Sequence, residues 1–451
     1  MVQLNGGFDD CDYVSDAAIG STPSREMSDV PQFHSIGDAK GSMPGQSKSE
    51  DDIAVIGIAL KFPGDASSTE SFWKMLMDRR SALSDVPQDR YNIDAFWSPD
   101  ALDPGTSNAR GAHFVREDIA AFDAPFFSIS PAEAECMDPQ QRWLLETTYH
   151  ALENAGLPLD RVAATETSVH VGSFGHDYGV MLSRDPGSQA QHRATGTSSA
   201  MLANRISWFY DFKGPSISID TACSSSLNAL DSACQGIRNG QSTMGVVAGS
   251  NIISGPETSA ALADLGFLSP DSKCYSFDHR ANGYSRGEGI AVVIIKSVIR
   301  AVEDGNTIRA VIRASRSNQD GRTPGVSQPS SVAHETLIRQ TYTSAGLDMA
   351  LTNFFEAHGT GTRVGDPIEA LGIYQAFKDR PKRHALRIGA VKTNVGHLEG
   401  AAGLAGFIKT VLVLEKGVIP PNALFEKPND SIDTAGWNLE VSFIGRQAIL
   451  N

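Results

Sequence analysis

The sequence has no apolar run near the ~20 residues that a helix needs to cross a bilayer. Its first residues, "MVQLNGGFDDCDYVSD", are acidic and have no apolar core, so no secretory signal is expected. Positive charge is in deficit. The formal net charge of −15 argues against nucleic acid or an anionic membrane as the main partner, although a local basic patch for an acidic partner stays compatible with it. Cysteine is scarce: Cys11, Cys136, Cys223, Cys234 and Cys274 are odd in number and irregularly spaced. They form neither a disulfide framework nor a zinc pattern, and a reducing, cytoplasmic compartment is expected. There is no P-loop and no HExxH. Gly359, Gly361 and Gly365 in "GTGTRVGD" mimic a dinucleotide loop, but their spacing misses the fingerprint, so no bound cofactor or metal is expected.

What remains is ordinary globular composition, 41% hydrophobic and 20% charged. Residues 1–50 are rich in Ser, Gly, Asp and Pro without apolar periodicity and read as a disordered tail. Order is expected from "IAVIGIAL", a buried strand. "STESFWKMLMDRR" reads as a helix capped by Ser68 or Thr69. "DPQQRWLLETTYHALENAG" reads as a helix with Asp138 as cap, Pro139 in the first turn and Gly156 at the end. Its core face is Leu144, Leu145, Thr148, Ala151 and Leu152. Beyond it, strand-like and helix-like segments alternate, which predicts an α/β fold with a layered core. One half spans 51–300 and a second 301–451.

The stretch "DTACSSSL" places Cys223 between a strand-like "SISI" and a helical run through Leu227, Leu230, Ala233, Cys234 and Ile237. A cysteine at a helix N-terminus is favoured as thiolate, the reactive form. The competing reading is a packing cysteine, since free Cys is among the most buried residue types. Two strand-like segments also end in histidine: His358 in "FFEAHGTGT" and His397 in "RIGAVKTNVGHLEGAAGLAG". Strand C-terminal ends are where catalytic groups gather in α/β sheets, so one Cys and two His can converge. "GHLEGAAGLAG" is expected to be a close helix-packing surface rather than a phosphate cradle.

Together "DTACSSSL", "EAHGTGT", "GDPIEA" and "KTNVGHLEGAAG" resemble the β-ketoacyl synthase (ketosynthase) domain of type I polyketide synthases. "NRISWFYDFKGPS", "GFLSPDSKCYSFDHRANGYSRGEG" and "SNQDGRTPGVSQPSS" look most like the fungal highly reducing kind. The resemblance implies a thiolase-like fold, two related α/β halves in an αβαβα sandwich. It implies acyl transfer to Cys223 and decarboxylative Claisen condensation with malonyl on an acyl carrier protein. By the same resemblance His358 and His397 promote decarboxylation and stabilise the enolate. Lys392 organises the site with Glu399 or another nearby carboxylate. Thr360 and Thr362 contact the phosphopantetheine arm of the carrier, which is supplied in trans. A homodimer is implied, with the "SISID" strand at the two-fold axis.

Three departures from the family pattern stand out. Asp231 replaces the usual His, and Arg316 replaces a Gly, bringing a bulky charge into a tight place. After "WNLEV" the chain reads "SFIGRQAILN" where the family continues into a glycine-rich loop and a final strand. The expectation is a C-terminally truncated chain, poor at condensation. The alternatives are therefore an impaired ketosynthase-like binding or dimerisation module, and a Cys–His hydrolase or acyltransferase, which the two paired-histidine motifs disfavour.

Overall fold

A computed structural model describes residues 51–100, 103–184, 191–382 and 384–442, and the backbone of 446–447. The expected disordered tail, with Cys11, lies outside the described residues.

The first sheet has six strands: β1 (Ile53–Lys61), β2 (Thr167–Ser173), β3 (Ser216–Ile219), β4 (Met244–Asn251), β5 (Gly289–Ser297) and β6 (Ala310–Ile312). They lie in the order β3-β2-β4-β5-β1-β6. β2 runs parallel to β3 and β4, whereas β5 is antiparallel to both β4 and β1. The second sheet holds β7 (Phe354–Glu356), β8 (Leu386–Gly389) and β9 (Leu439–Val441), all parallel with β8 in the centre. Each sheet thus has a triad of parallel strands whose C-terminal ends open toward the site. β6 follows residue 300 yet pairs with β1 in the first sheet.

Alternation along β5 shows why the sheet is covered on both faces. Ile290, Val292 and Ile294 pack with helix α1 (Pro139–Asn154), while Ala291, Val293 and Ile295 face α2 (Ser225–Arg238). α2 shares that middle layer with α5 (Ala402–Lys416). α5 reaches the second sheet, where Lys409 Nζ meets Glu356 Oε2 at 2.6 Å. The far side of β8 and β9 is covered by α3 (Ser331–Ala345) and α4 (Gly365–Phe377). The layers run αβαβα, the thiolase-like arrangement.

The middle layer is thin because its residues are small. A Cβ on Gly403 would lie 2.5 Å from Leu227 Cγ, and one on Gly172 would lie 2.3 Å from the Ser226 nitrogen. "GHLEGAAGLAG" is indeed a packing surface.

Asp138 caps α1 by accepting from the Gln140 N–H, and Pro139 opens the first turn. The expected core face is buried, but so are Gln140, Gln141 and Arg142. Gln141 reaches the carbonyls of Thr195 and Gly196, so this turn is covered by a loop that helical periodicity does not register. The segment after β4 contains a helix at Glu257–Asp264. The expected loss of the closing loop and strand concerns residues 443–451. There only Arg446–Gln447 is described, pairing antiparallel with Val418–Ile419.

Candidate active site

Cys223 sits in a 3-10 turn, Ala222–Ser224, between β3 and α2. The turn is sharp because Ala222 takes φ 52, in the left-handed region. Local bonds hold it there: the Ala222 N–H donates to Asp220 Oδ1 at 2.9 Å, and Ser225 Oγ donates to the Ala222 carbonyl at 2.6 Å. The thiol is buried at 6% exposure. His358 follows β7 by two residues. His397 follows β8, but a helical turn at Lys392–Val395 intervenes, which the sequence pattern did not suggest.

The structure brings the three together. Cys223 Sγ and one ring nitrogen from each of His358 and His397 lie within 4.8 Å of one another. The two rings meet edge to face with centroids 5.4 Å apart. His397 Nδ1 accepts the Glu399 N–H at 2.9 Å, so its proton sits on Nε2. That nitrogen has no hydrogen-bond partner among the described residues and is presented as a donor, not as a lone pair for a metal. Burial holds the His397 and His358 pKa values well below the ordinary range; the nearby Lys392 charge adds to the effect. Both rings are therefore neutral near pH 7.

Lys392 is buried, and Nζ donates to the His358 carbonyl at 2.7 Å. Burial lowers its pKa, and surrounding groups including Cys223, Glu369 and Glu356 oppose that shift. The loop carrying His358 is fixed from the other side by Glu369. Its carboxylate accepts the His358 and Gly359 N–H groups at 2.7 and 2.8 Å. Asp366 accepts from the Gly361 and Phe277 N–H groups, and its carboxyl is pushed up to about 7, mainly by burial. Thr360 and Thr362 stand on the same loop with their hydroxyls 3.2 Å apart.

One expectation is narrowed and one corrected here. Of the carboxylates allowed for Lys392, Glu399 instead faces Cys223 Sγ at 3.8 Å and Arg286 Nε at 3.5 Å, which leaves Glu369 and Glu356 near the lysine. The Cys223 thiol is not acidified. Burial, and then the Glu399 charge, push its pKa well above the ordinary value, outweighing Lys392. Arg286, Tyr284 and Glu369 were missed as site residues, although "GYSRGEG" and "GDPIEA" contained them. The signal was the pair of charged residues that each segment carries, Arg286 with Glu288 and Asp366 with Glu369. Arg316 also differs from expectation. It is exposed and, with Asp231, Leu227 and Phe407, lines a groove of about 210 Å³ that begins beside Ser224.

Two family models match in tandem: "Beta-ketoacyl synthase, N-terminal domain" over residues 50–301 and "Beta-ketoacyl synthase, C-terminal domain" over residues 309–426. The chain belongs to the β-ketoacyl synthase family. Among similar proteins, the reducing polyketide synthase pksF of Alternaria solani is 52% identical over 87% of the chain. The highly reducing polyketide synthase Preu1 of Preussia isomera is 51% identical over 87%. The match occupies 17% and 16% of those two relatives, so the β-ketoacyl synthase chain spans about a sixth of their length. Among solved structures, an oxazolomycin ketosynthase domain from Streptomyces albus JA3453 superposes with a TM-score of 0.84 at 36% identity. That match covers 89% of this chain and 70% of the other. A ketosynthase from module 6 of the bacillaene synthase of Bacillus subtilis 168 gives 0.81 at 34%, covering 88% of this chain and 67% of the other.

Proposed function

We propose that the protein catalyses ketosynthase chemistry in polyketide assembly. Cys223 accepts an acyl chain from a phosphopantetheine thioester. Malonyl on an acyl carrier protein then loses CO2, and the enolate attacks the acyl-cysteine. The observation that supports this reading best is the convergence of one buried thiol and two neutral histidines from the two sheets. Neutral ring N–H donors stabilise a developing enolate without surrendering a proton. The unpartnered His397 Nε2–H fits that role. His358 fits as the second donor. Lys392 holds the His358 carbonyl and so the loop carrying it. Thr360 and Thr362, on the same loop, are placed to contact the pantetheine arm.

The partners we propose are a carrier protein supplied in trans and a second copy of this chain. For the second copy, β3 is an edge strand with Ile217 exposed, and an unpaired edge next to the nucleophile is the kind of surface a two-fold partner covers. Cys223, Cys234 and Cys274 are free and buried, which suits a reducing, cytoplasmic setting. No described helix is long and apolar enough to cross a membrane.

The test is mass spectrometry of the purified protein with an acyl thioester and malonyl-carrier protein. An acyl adduct on the Cys223 peptide, followed by a β-ketoacyl carrier, is expected. An unmodified Cys223 in the wild-type protein would overturn the reading.

A further inference from the structure

The burial that makes Cys223 a poor thiolate leaves a question of chemistry: where its proton goes. The candidates around Sγ are few. His397 cannot take it, because Nδ1 already accepts a backbone N–H and Nε2 already carries a proton. His358 is disfavoured by the adjacent Lys392 ammonium, which opposes a second positive charge. Lys392 is itself a donor to the His358 carbonyl. Glu399 is left, and Cys223 S–H already donates to its Oε2.

The setting of Glu399 is unusual for a packing residue. It is a buried glutamate at φ 43, a left-handed conformation that non-glycine residues rarely adopt and that concentrates at functional sites. Its other oxygen faces Arg286, whose guanidinium is buried between Glu399 and Asp177 at 3.5 and 4.0 Å. Arg286 Nη1 donates to Ser259 Oγ at 2.9 Å, while Nε and Nη2 make no hydrogen bond among the described residues. Glu399 Oε1 has no hydrogen-bond partner among the described residues. A strained, buried carboxylate thus lies between the nucleophile and a buried arginine.

We propose that Glu399 accepts the Cys223 proton when the acyl chain is loaded, and that Arg286 is the residue positioning it; this rests on the ketosynthase reading above. The Cys223 S–H bond breaks as sulfur forms a C–S bond to the acyl carbonyl carbon, and the proton passes to Glu399. The tetrahedral adduct collapses by breaking the pantetheine C–S bond. The same proton then leaves Glu399 for the departing pantetheine sulfur. Glu399 ends as the carboxylate it began as, and no further reactant enters. Burial raises the Glu399 pKa, which makes it a stronger base than a surface glutamate.

The experiment separates loading from decarboxylation. Loading is the rate of Cys223 acylation by an acyl-pantetheine thioester, read by intact mass. Decarboxylation is CO2 release from malonyl-pantetheine in a Cys223→Gln background, which has no thiol to deprotonate. Glu399→Gln should slow loading about 100- to 10,000-fold and decarboxylation far less. Glu399→Asp should recover part of the loading rate, and Arg286→Lys should retain more than Arg286→Met. The groups facing Glu399 are Cys223, Tyr284, His397 and Arg286, with Asp177 behind Arg286 and Lys392 and His358 beyond Cys223. Of these, Glu399 is the one to which the thiol already donates a hydrogen bond. Wild-type loading should therefore level off above the Glu399 pKa, while Glu399→Gln loading should climb about tenfold per pH unit. Loading by Glu399→Gln within about threefold of wild type would overturn the proposal. So would an equal fall in loading and decarboxylation, which marks a role in holding the fold. If the wild-type protein itself takes no acyl group, the ketosynthase reading falls first and this one with it.

Discussion

Two turns face each other across the pocket, one carrying Cys223 and the other Glu399. Each bends through a non-glycine residue in the left-handed region, Ala222 at φ 52 and Glu399 at φ 43, and each leads into a helix of the middle layer. The materials differ. The Cys223 turn is held by hydroxyls and backbone groups: Ser224 Oγ to the Thr221 carbonyl, Ser225 Oγ to the Ala222 carbonyl. The segments around the Glu399 turn hold charge: Lys392 on the His358 carbonyl, Glu369 on two N–H groups, Arg286 on Glu399. One side presents a neutral nucleophile whose position is set locally. The other sets the electrostatics that nucleophile experiences. Reactivity at such a site is a property of the junction between the halves, and a helix N-terminus read from one half alone gives the wrong sign for the thiol.

The sharpest break of this contrast is removal of the nucleophile. Cys223→Ala should abolish the acyl adduct completely, while malonyl decarboxylation survives because it depends on the facing histidines. Adduct on another folded-region cysteine in that variant would show that Cys223 is not the acceptor. Next in size, His358→Ala or His397→Ala should each lower decarboxylation about 100- to 1000-fold, the usual effect of losing one donor to a developing oxyanion. Unchanged CO2 release in both would remove the pair from the mechanism.

Glu369→Ala attacks the charged side through its backbone anchors. It leaves the His358 and Gly359 N–H groups without their acceptor, at about 1–3 kcal/mol each. A clear drop in melting temperature is expected, and an unaltered one would mean other groups satisfy those donors.

Proton linkage offers a finer test, because two buried groups, one in each half, respond to pH with opposite sign. His113, buried between Ser81 and Ser285 in the first half, is held down to about 3 by burial, against 6.5 when free. It binds fewer protons folded than unfolded, so it adds stability as pH rises from 3 to 6.5. Asp366, in the second half, is held up to about 7 against 3.8 and does the reverse, losing stability as pH rises through that range. Each contributes a slope of about 1.4 kcal/mol per pH unit inside its window. Urea unfolding between pH 4.5 and 6.5 should give a less positive slope for His113→Gln than for wild type, and a more positive one for Asp366→Asn. Two variants shifting the same way would contradict the assignment. The smallest effect is expected at the groove. Arg316→Gly changes an exposed side chain and should leave melting within about 0.5 kcal/mol. A larger loss would mean Arg316 is bound to something on its own surface.

How much of this was legible follows from the range of the interactions involved. The strand ends, the caps of α1 and the convergence of Cys223, His358 and His397 were readable because each rests on short patterns that carry their own geometry. The partner of Glu399 was not, since Arg286 lies on a different segment, and only folding reveals which cation a carboxylate meets. The direction of the Cys223 shift failed for the same reason: desolvation is set by everything packed around the thiol. The buried Gln140, Gln141 and Arg142 show the complement, polar residues whose burial depends on a distant loop.

The loop of His358 is gripped entirely by its main chain, Glu369 on the amides and Lys392 on the carbonyl, while the imidazole itself is left unanchored at Nδ1. Scaffold and chemistry are therefore separable there under mutation. A lineage could exchange the imidazole for an inert side chain and keep the cavity's shape. Exchanging the imidazole therefore removes the chemistry at that position without removing any bond that holds the loop.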